Sequence, residues 1–314
     1  MDKLSNLRFQ IPLGLLTWIV FLFSKLPIDT SSLTYVELLI LIAPLVLIPI
    51  LLEVGNVSKK LRQWVLFCNI PFAIAFFLPN GWLATICCFP WLAFTLILAL
   101  EEFKKWLIQS DKKMSHHGHF AAAAYLPVAA VWALSDRLGM PLWVFDETII
   151  LLTVVHFHYA GFILPKITAF ALEKINSKLA NGIGFIVIIG ILLVATAITT
   201  TAYDLPKFIE VACVTLMVMG GMGSAIMHII LGMRSKNTFA KIAFCLGGLA
   251  LLGGMTLALG YGWRFYFPIS FLTIPWMYAV HGTLNAIGFA LPCVVAWHFS
   301  KRKFKLKAQT QLKN

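Results

Sequence analysis

Charge is scarce in this sequence. Asp, Glu, Lys and Arg make up 12% of its 314 residues, against 60% apolar side chains and a mean hydropathy of +0.87. That balance excludes an ordinary water-soluble domain. Paired cysteines are also missing: Cys68, Cys87, Cys88, Cys213, Cys245 and Cys293 all fall in apolar stretches, and none forms a C-x-x-C pair. They read as small interior residues, not as disulfides or thiolate ligands. No H-E-x-x-H, D-x-x-D, ATP-binding loop or c-haem attachment motif occurs, which removes the commonest soluble metalloenzyme and nucleotide chemistries. No small-residue cleavage site follows the first apolar run, which stays bulky through Trp18, Phe21 and Phe23 to Lys25, so that run is expected to be a retained span and not a signal peptide.

What remains is a succession of long apolar runs. A bilayer core of about 30 Å takes about 20 helical residues to cross. Runs of that kind fall at 9–26, 33–52, 63–79, 82–100, 119–135, 147–166, 182–202, 208–232, 240–260 and 270–299. They lack the alternation of barrel strands, which in any case leave backbone groups unpaired in lipid unless the barrel closes. The expected fold is all-α: a polytopic integral membrane protein of about ten transmembrane helices, forming a single transmembrane domain over 1–314. With both termini placed in the cytoplasm, the outer segments keep only Lys25, Arg137, Lys207 and Arg264 of the 25 basic residues, as the positive-inside rule requires. The segment from 300 to 314, with its KRKFKLK run, is then a basic cytoplasmic tail facing anionic lipid, and no nucleic-acid partner is needed to explain the net charge of +12. Small residues crowd the eighth and ninth runs (Gly220, Gly221, Gly223; Gly247, Gly248, Gly253, Gly254), a pattern of close helix packing.

Polar residues inside such helices are expensive and draw attention to working positions. Thr153–Lys166 reads TVVHFHYAGFILPK, with His156, His158 and Tyr159 close together. From the start of the sixth run the two histidines lie about 14–18 Å deep, and a spacing of two residues turns them about 200° apart. His158 shares a helical face with Gly161 and Pro165, and His156 shares one with Tyr159. In the tenth run His281, Asn285, Gly288 and Pro292 form one stripe. Gly161–Pro165 and Gly288–Pro292 both read GFxLP, and each proline is expected to bend its helix and free the carbonyl of the glycine four residues before it. His158, His281 and Asn285 are therefore expected to form a mid-membrane binding pocket for a solute or ion, with His228 at its inner exit. Gly161, Pro165, Gly288 and Pro292 mark the kinks. Buried His and Asn also serve as hydrogen-bonding glue between membrane helices, at a fraction of a kcal/mol to about 2 kcal/mol. His116, His117 and His119 are expected in a solvated loop before the fifth helix, and the carboxylates in solvated pairs at helix ends.

The stretches HFHYAGFILP (156–165) and HGTLNAIGFALP (281–292) resemble those of the YndJ-like family of bacterial multi-spanning membrane proteins, over about 115–300. The resemblance implies an integral protein of the bacterial inner membrane that carries a transporter label, and it brings no catalytic residues with it. Two functions stay open beside a purely structural one. The first is transport of a small solute, ion or proton. The second is a membrane-embedded enzyme or redox protein acting on a lipophilic substrate. Its acid–base candidates are His156, Tyr159 and Glu102; in a haem, iron or zinc version, His158, His228 and His281 would supply ligands.

Overall fold

The computed structural model describes residues 7–140 and 144–300; the KRKFKLK run expected to anchor the tail lies outside them. The described residues form helices and no strand. In chain order they are α1 (Leu7–Ser24), α2 (Leu33–Val54), α3 (Lys59–Ala75), α4 (Trp82–Ile108), α5 (Met114–Leu138), α6 (Glu147–Leu172), α7 (Lys178–Ala202), α8 (Lys207–Arg234), α9 (Thr238–Gly262) and α10 (Ile274–Ser300). All except α3 are long and apolar enough to cross a membrane by length and composition. α3, at 17 residues, takes the place of the run expected at 63–79.

Local chemistry sets the helix ends. Side-chain oxygens of Ser58, Asp146, Ser177 and Asn237 accept hydrogen bonds from the first free backbone N–H groups of α3, α6, α7 and α9. Gly139 ends α5 with a φ of +72°, a conformation that favours glycine. Hydropathy misplaced several other boundaries, among them the ends of α4 and α6 and the start of α5. α4 continues past residue 100 to Ile108, because Lys105 lies 2.7 Å from Glu101 and 2.8 Å from Glu102 across one helical turn and the charged turn is held within the helix. α5 begins at Met114 and not at 119, so His116, His117 and His119 belong to its first turns and not to a loop.

Neighbours in sequence pack as neighbours in space, α3 on α4 on α5 on α6 and α7 on α8 on α9 on α10, the usual consequence of short connections. α2 is largely apolar and almost wholly buried, touching α1, α3, α6 and α10. α1 and α7 stay largely exposed on the outside. A continuous apolar core runs from Phe21 through Trp91 and Phe162 to Trp297.

Three of the carboxylates expected in solvated pairs at helix ends, Glu37, Glu102 and Glu210, form interhelical ion pairs instead. Glu37 of α2 meets Arg137 of α5 at 2.9 Å, and Arg137 also contacts Asp136. Glu102 of α4 meets Lys166 of α6 at 3.1 Å, and Glu210 of α8 meets Arg264 after α9 at 2.6 Å. Glu37, Arg137, Glu102, Lys166 and Glu210 are all buried. Charges withdrawn from water persist only when paired, so these contacts fix which helices lie together.

Candidate functional site

Two helices depart from α geometry where the sequence places its polar residues. In α6, Phe157–Ile163 forms wider π turns that end just before Pro165; in α10, Met277–Gly282 and Leu284–Ala290 do the same up to Pro292. Proline has no N–H to continue the ladder, and a stretch of i→i+5 bonding takes up the mismatch. The α6 segment packs against Leu284–Ala290 of α10. Gly161 and Gly288 sit inside them as points of close approach. A Cβ on Gly161 would stand 3.3 Å from Tyr125 Cβ of α5, and one on Gly288 2.8 Å from Ala250 Cβ of α9.

Beside this junction lies a cavity of about 450 Å³ walled by α2, α6, α7, α8, α9 and α10. At helix ends it is lined by Asp146, Thr201, Glu210 and Arg264, of which Asp146 and Thr201 are exposed. Its floor lies among mid-helix residues, including Leu164, Met217, Leu251 and Phe289. Most of the wall is aliphatic, and four polar side chains gather deep inside it: His156, Tyr159, His281 and Asn285. The volume and the apolar wall with a few converging polar groups suit a small-molecule site.

Hydrogen bonds fix how these groups present themselves. His156 Nδ1 is 2.5 Å from Leu152 O. A carbonyl only accepts, so Nδ1 carries the hydrogen and Nε2 of the neutral ring keeps its lone pair. His281 Nδ1 donates in the same way to Gly254 O of α9 at 2.8 Å, and Asn285 Nδ2 lies 3.0 Å from its Nε2 and 3.3 Å from its Nδ1. Tyr159 donates to Leu39 O of α2 at 2.7 Å, and Tyr278 donates to Ser31 O beyond the N-terminus of α2. Tyr35 and Thr283 close a further link between α2 and α10 at 2.5 Å. Ser31 itself is held by Asp29, whose carboxyl its hydroxyl and N–H keep below the usual carboxylate range.

The expected grouping of His158, His281, Asn285 and His228 does not occur. His281 and Asn285 are together in the cavity, and the histidine that joins them is His156. His158 turns the other way, fully buried between α3 and α4: its ring is stacked on Trp91 (centroids 6.2 Å, planes 12° apart) and is 6.1 Å from Phe72. His228 guards no exit. It is fully buried beside Phe244, Phe289 and Trp297, donating to Ser224 O and accepting from Trp297 Nε1. His158, His228 and His281 thus occupy three separate environments and do not form the expected metal set. Among the described residues no cluster of three or more His, Cys, Asp or Glu side chains has metal-holding geometry. Glu102 is likewise remote from the cavity, engaged with Lys105 and Lys166. Of the acid–base candidates, His156 and Tyr159 line the cavity. Neither Gly161 nor Gly288 does, so the carbonyls expected to be freed there add nothing to its wall.

The histidines at the start of α5 tie it to neighbouring segments. His119 Nε2 meets Glu173 at 2.9 Å, His117 accepts from Trp106 Nε1 at 3.1 Å, and His116 Nδ1 donates to Asp111 O at 2.7 Å. Glu210, Arg264 and Thr201 at the cavity mouth were missed by the sequence reading. Only the isolation of Arg264 among the four outer basic residues singled it out.

Fold and site together define a polytopic helical membrane protein with a part-polar cavity between its helices. The YndJ-like protein family matches residues 38–289, and the chain belongs to that family. It is 24% identical over 215 residues to a Bacillus subtilis (strain 168) protein named uncharacterized membrane protein YndJ. That stretch covers 68% of this chain and 38% of the relative, so the chain corresponds to well under half the length of the curated relative it matches. No solved structure matches the chain.

Proposed function

We propose that the chain is a membrane carrier that binds a small, largely apolar solute in the α6–α10 cavity. The observation that carries this reading is the cavity itself, about 450 Å³ of mainly aliphatic wall reaching from helix ends to a polar cluster at mid-helix. A bare ion finds too few ligands there; an apolar body with one polar end finds both of its requirements. The opposite side of the cluster is closed by tightly packed groups, Phe289 against His228, Trp297 against Phe170, and Thr168 hydrogen-bonded to Ser224 at 2.7 Å. A site open at one end and shut at the other, between distorted helices, fits alternating access. In this reading residues 7–300 act as one transmembrane unit with both termini in the cytoplasm, in the bacterial inner membrane, and the mouth faces outward.

The test is accessibility at the two ends, in a background with the native cysteines replaced. Cysteine at Thr201 reports the mouth and cysteine at Ser224 the closed side. A membrane-impermeant maleimide should label Thr201→Cys without ligand. Adding 2-naphthol should lower that labelling and raise labelling of Ser224→Cys from the other face. If both rates stay fixed while naphthol binds, the carrier reading is wrong and a static binding site or an enzyme takes its place. The enzyme reading has its own support in the lone pair of His156 Nε2 beside Tyr159, a general base poised over a bound hydroxyl.

A further inference from the structure

The balance of donors and acceptors at the deep end of the cavity specifies the kind of molecule it accepts, a conclusion that rests on the cavity being a binding site. The hydrogen on His156 Nδ1 is committed to Leu152 O and that on His281 Nδ1 to Gly254 O. Tyr159 commits its hydroxyl hydrogen to Leu39 O. Asn285 Nδ2 lies 3.0 Å from His281 Nε2 and 3.3 Å from its Nδ1, so one of its two N–H groups is directed at that ring. The Asn285 carbonyl is turned away onto α9, where a Cβ on Gly254 would stand 2.5 Å from Oδ1. His156 Nε2 has no protein partner, and it is not sealed off like the orphaned Nε2 of His158. His156 is half-buried and lines the cavity, so this nitrogen faces its interior as a hydrogen-bond acceptor.

We infer that the cavity selects a neutral hydrogen-bond donor, a hydroxyl carried on an otherwise apolar molecule, with its O–H delivered to His156 Nε2. A carboxylate arriving there brings lone pairs to a lone pair, and a single remaining Asn285 N–H does not offset its lost hydration. An ammonium group supplies donors, but one nitrogen lone pair in an aliphatic cavity does not offset the burial of a full charge. An ether of the same shape fills the cavity equally well and leaves His156 Nε2 unmatched. The lock of Nδ1 onto Leu152 O keeps the ring from turning to offer its N–H instead.

Three probes of one shape separate these cases: 2-naphthol, 2-methoxynaphthalene and 2-naphthoate, titrated against the protein in nanodiscs with empty nanodiscs subtracted. The expected result is about tenfold tighter binding of naphthol than of the methoxy compound, the size of one hydrogen bond in an apolar site, with naphthoate weakest. His156→Leu should bring naphthol down to the level of methoxynaphthalene and leave the latter unchanged, which also reports an intact cavity. His156→Gln, which restores a side-chain acceptor, should recover part of the preference. Equal binding of naphthol and methoxynaphthalene to the wild-type chain, or a preference for naphthoate, overturns the donor inference and leaves the cavity reading standing. No saturable binding of any of the three overturns the cavity reading as well.

Discussion

α6 presents two histidines two residues apart, and their fates differ. Both lock Nδ1 onto a carbonyl one turn back, Leu152 O for His156 and Val154 O for His158, so both rings carry the same tautomer. On one side His158 is sealed against Trp91 and Phe72, and its Nε2 is left without a partner. On the other His156 opens onto the cavity with His281 and Asn285. The packed side continues down the helix to Lys166, which is 2% exposed and paired with Glu102. Identical chemistry thus performs two tasks. What assigns them is whether the facing wall is a filled aromatic layer or a space between helices.

Substitutions sharpen that contrast, beginning with the largest. Trp91→Ala removes the fully buried indole that stacks on His158, and should lower stability by about 3–5 kcal/mol in a detergent unfolding assay while naphthol affinity stays constant. A large change in affinity would show that the two sides of α6 are not independent. Next comes Lys166→Met, which leaves Glu102 with Lys105 alone and should cost about 3 kcal/mol. Combining it with Glu102→Leu should recover most of that loss, since a buried pair replaced as a unit by apolar groups is close to neutral and Lys105 retains Glu101. Failure of the double variant to recover would mean that the pair does more than hold α4 to α6. Smallest on stability is His158→Leu, within about 1 kcal/mol because its only hydrogen bond is local to α6 and its Nε2 is an unmatched acceptor. It should leave naphthol binding as it was. Loss of binding in that variant, with His156→Leu binding normally, would reverse the assignment of the two faces.

Much of the scaffold can be read in the sequence because the rules involved are local. Each apolar run had to be helical to satisfy its own backbone in lipid, and its length marked it as a span. That His156 and His281 lie inside long helices also followed from the apolar runs. Boundaries failed where charged turns, Glu101 to Lys105 above all, were held in a helix by pairing that a hydropathy count does not see. The choice between His156 and His158 failed for a different reason. Two residues' spacing does turn them to different sides, but the helix wheel carries no label for which side meets α10. The π turns beginning at Phe157 also shift the phase of everything after it.

Composition and periodicity by themselves therefore determined a polytopic helical membrane protein, the approximate span positions, and the mid-helix histidines and asparagine. Tertiary structure alone decided that Glu102 reaches Lys166, Glu37 reaches Arg137 and Glu210 reaches Arg264. It also decided that His281 and Asn285 share a cavity with His156 and not with His158. Hydropathy and helical period are properties of a few consecutive residues. A buried charge, or a lone pair facing a cavity, takes its partner from helices distant in the chain, and only packing brings those together.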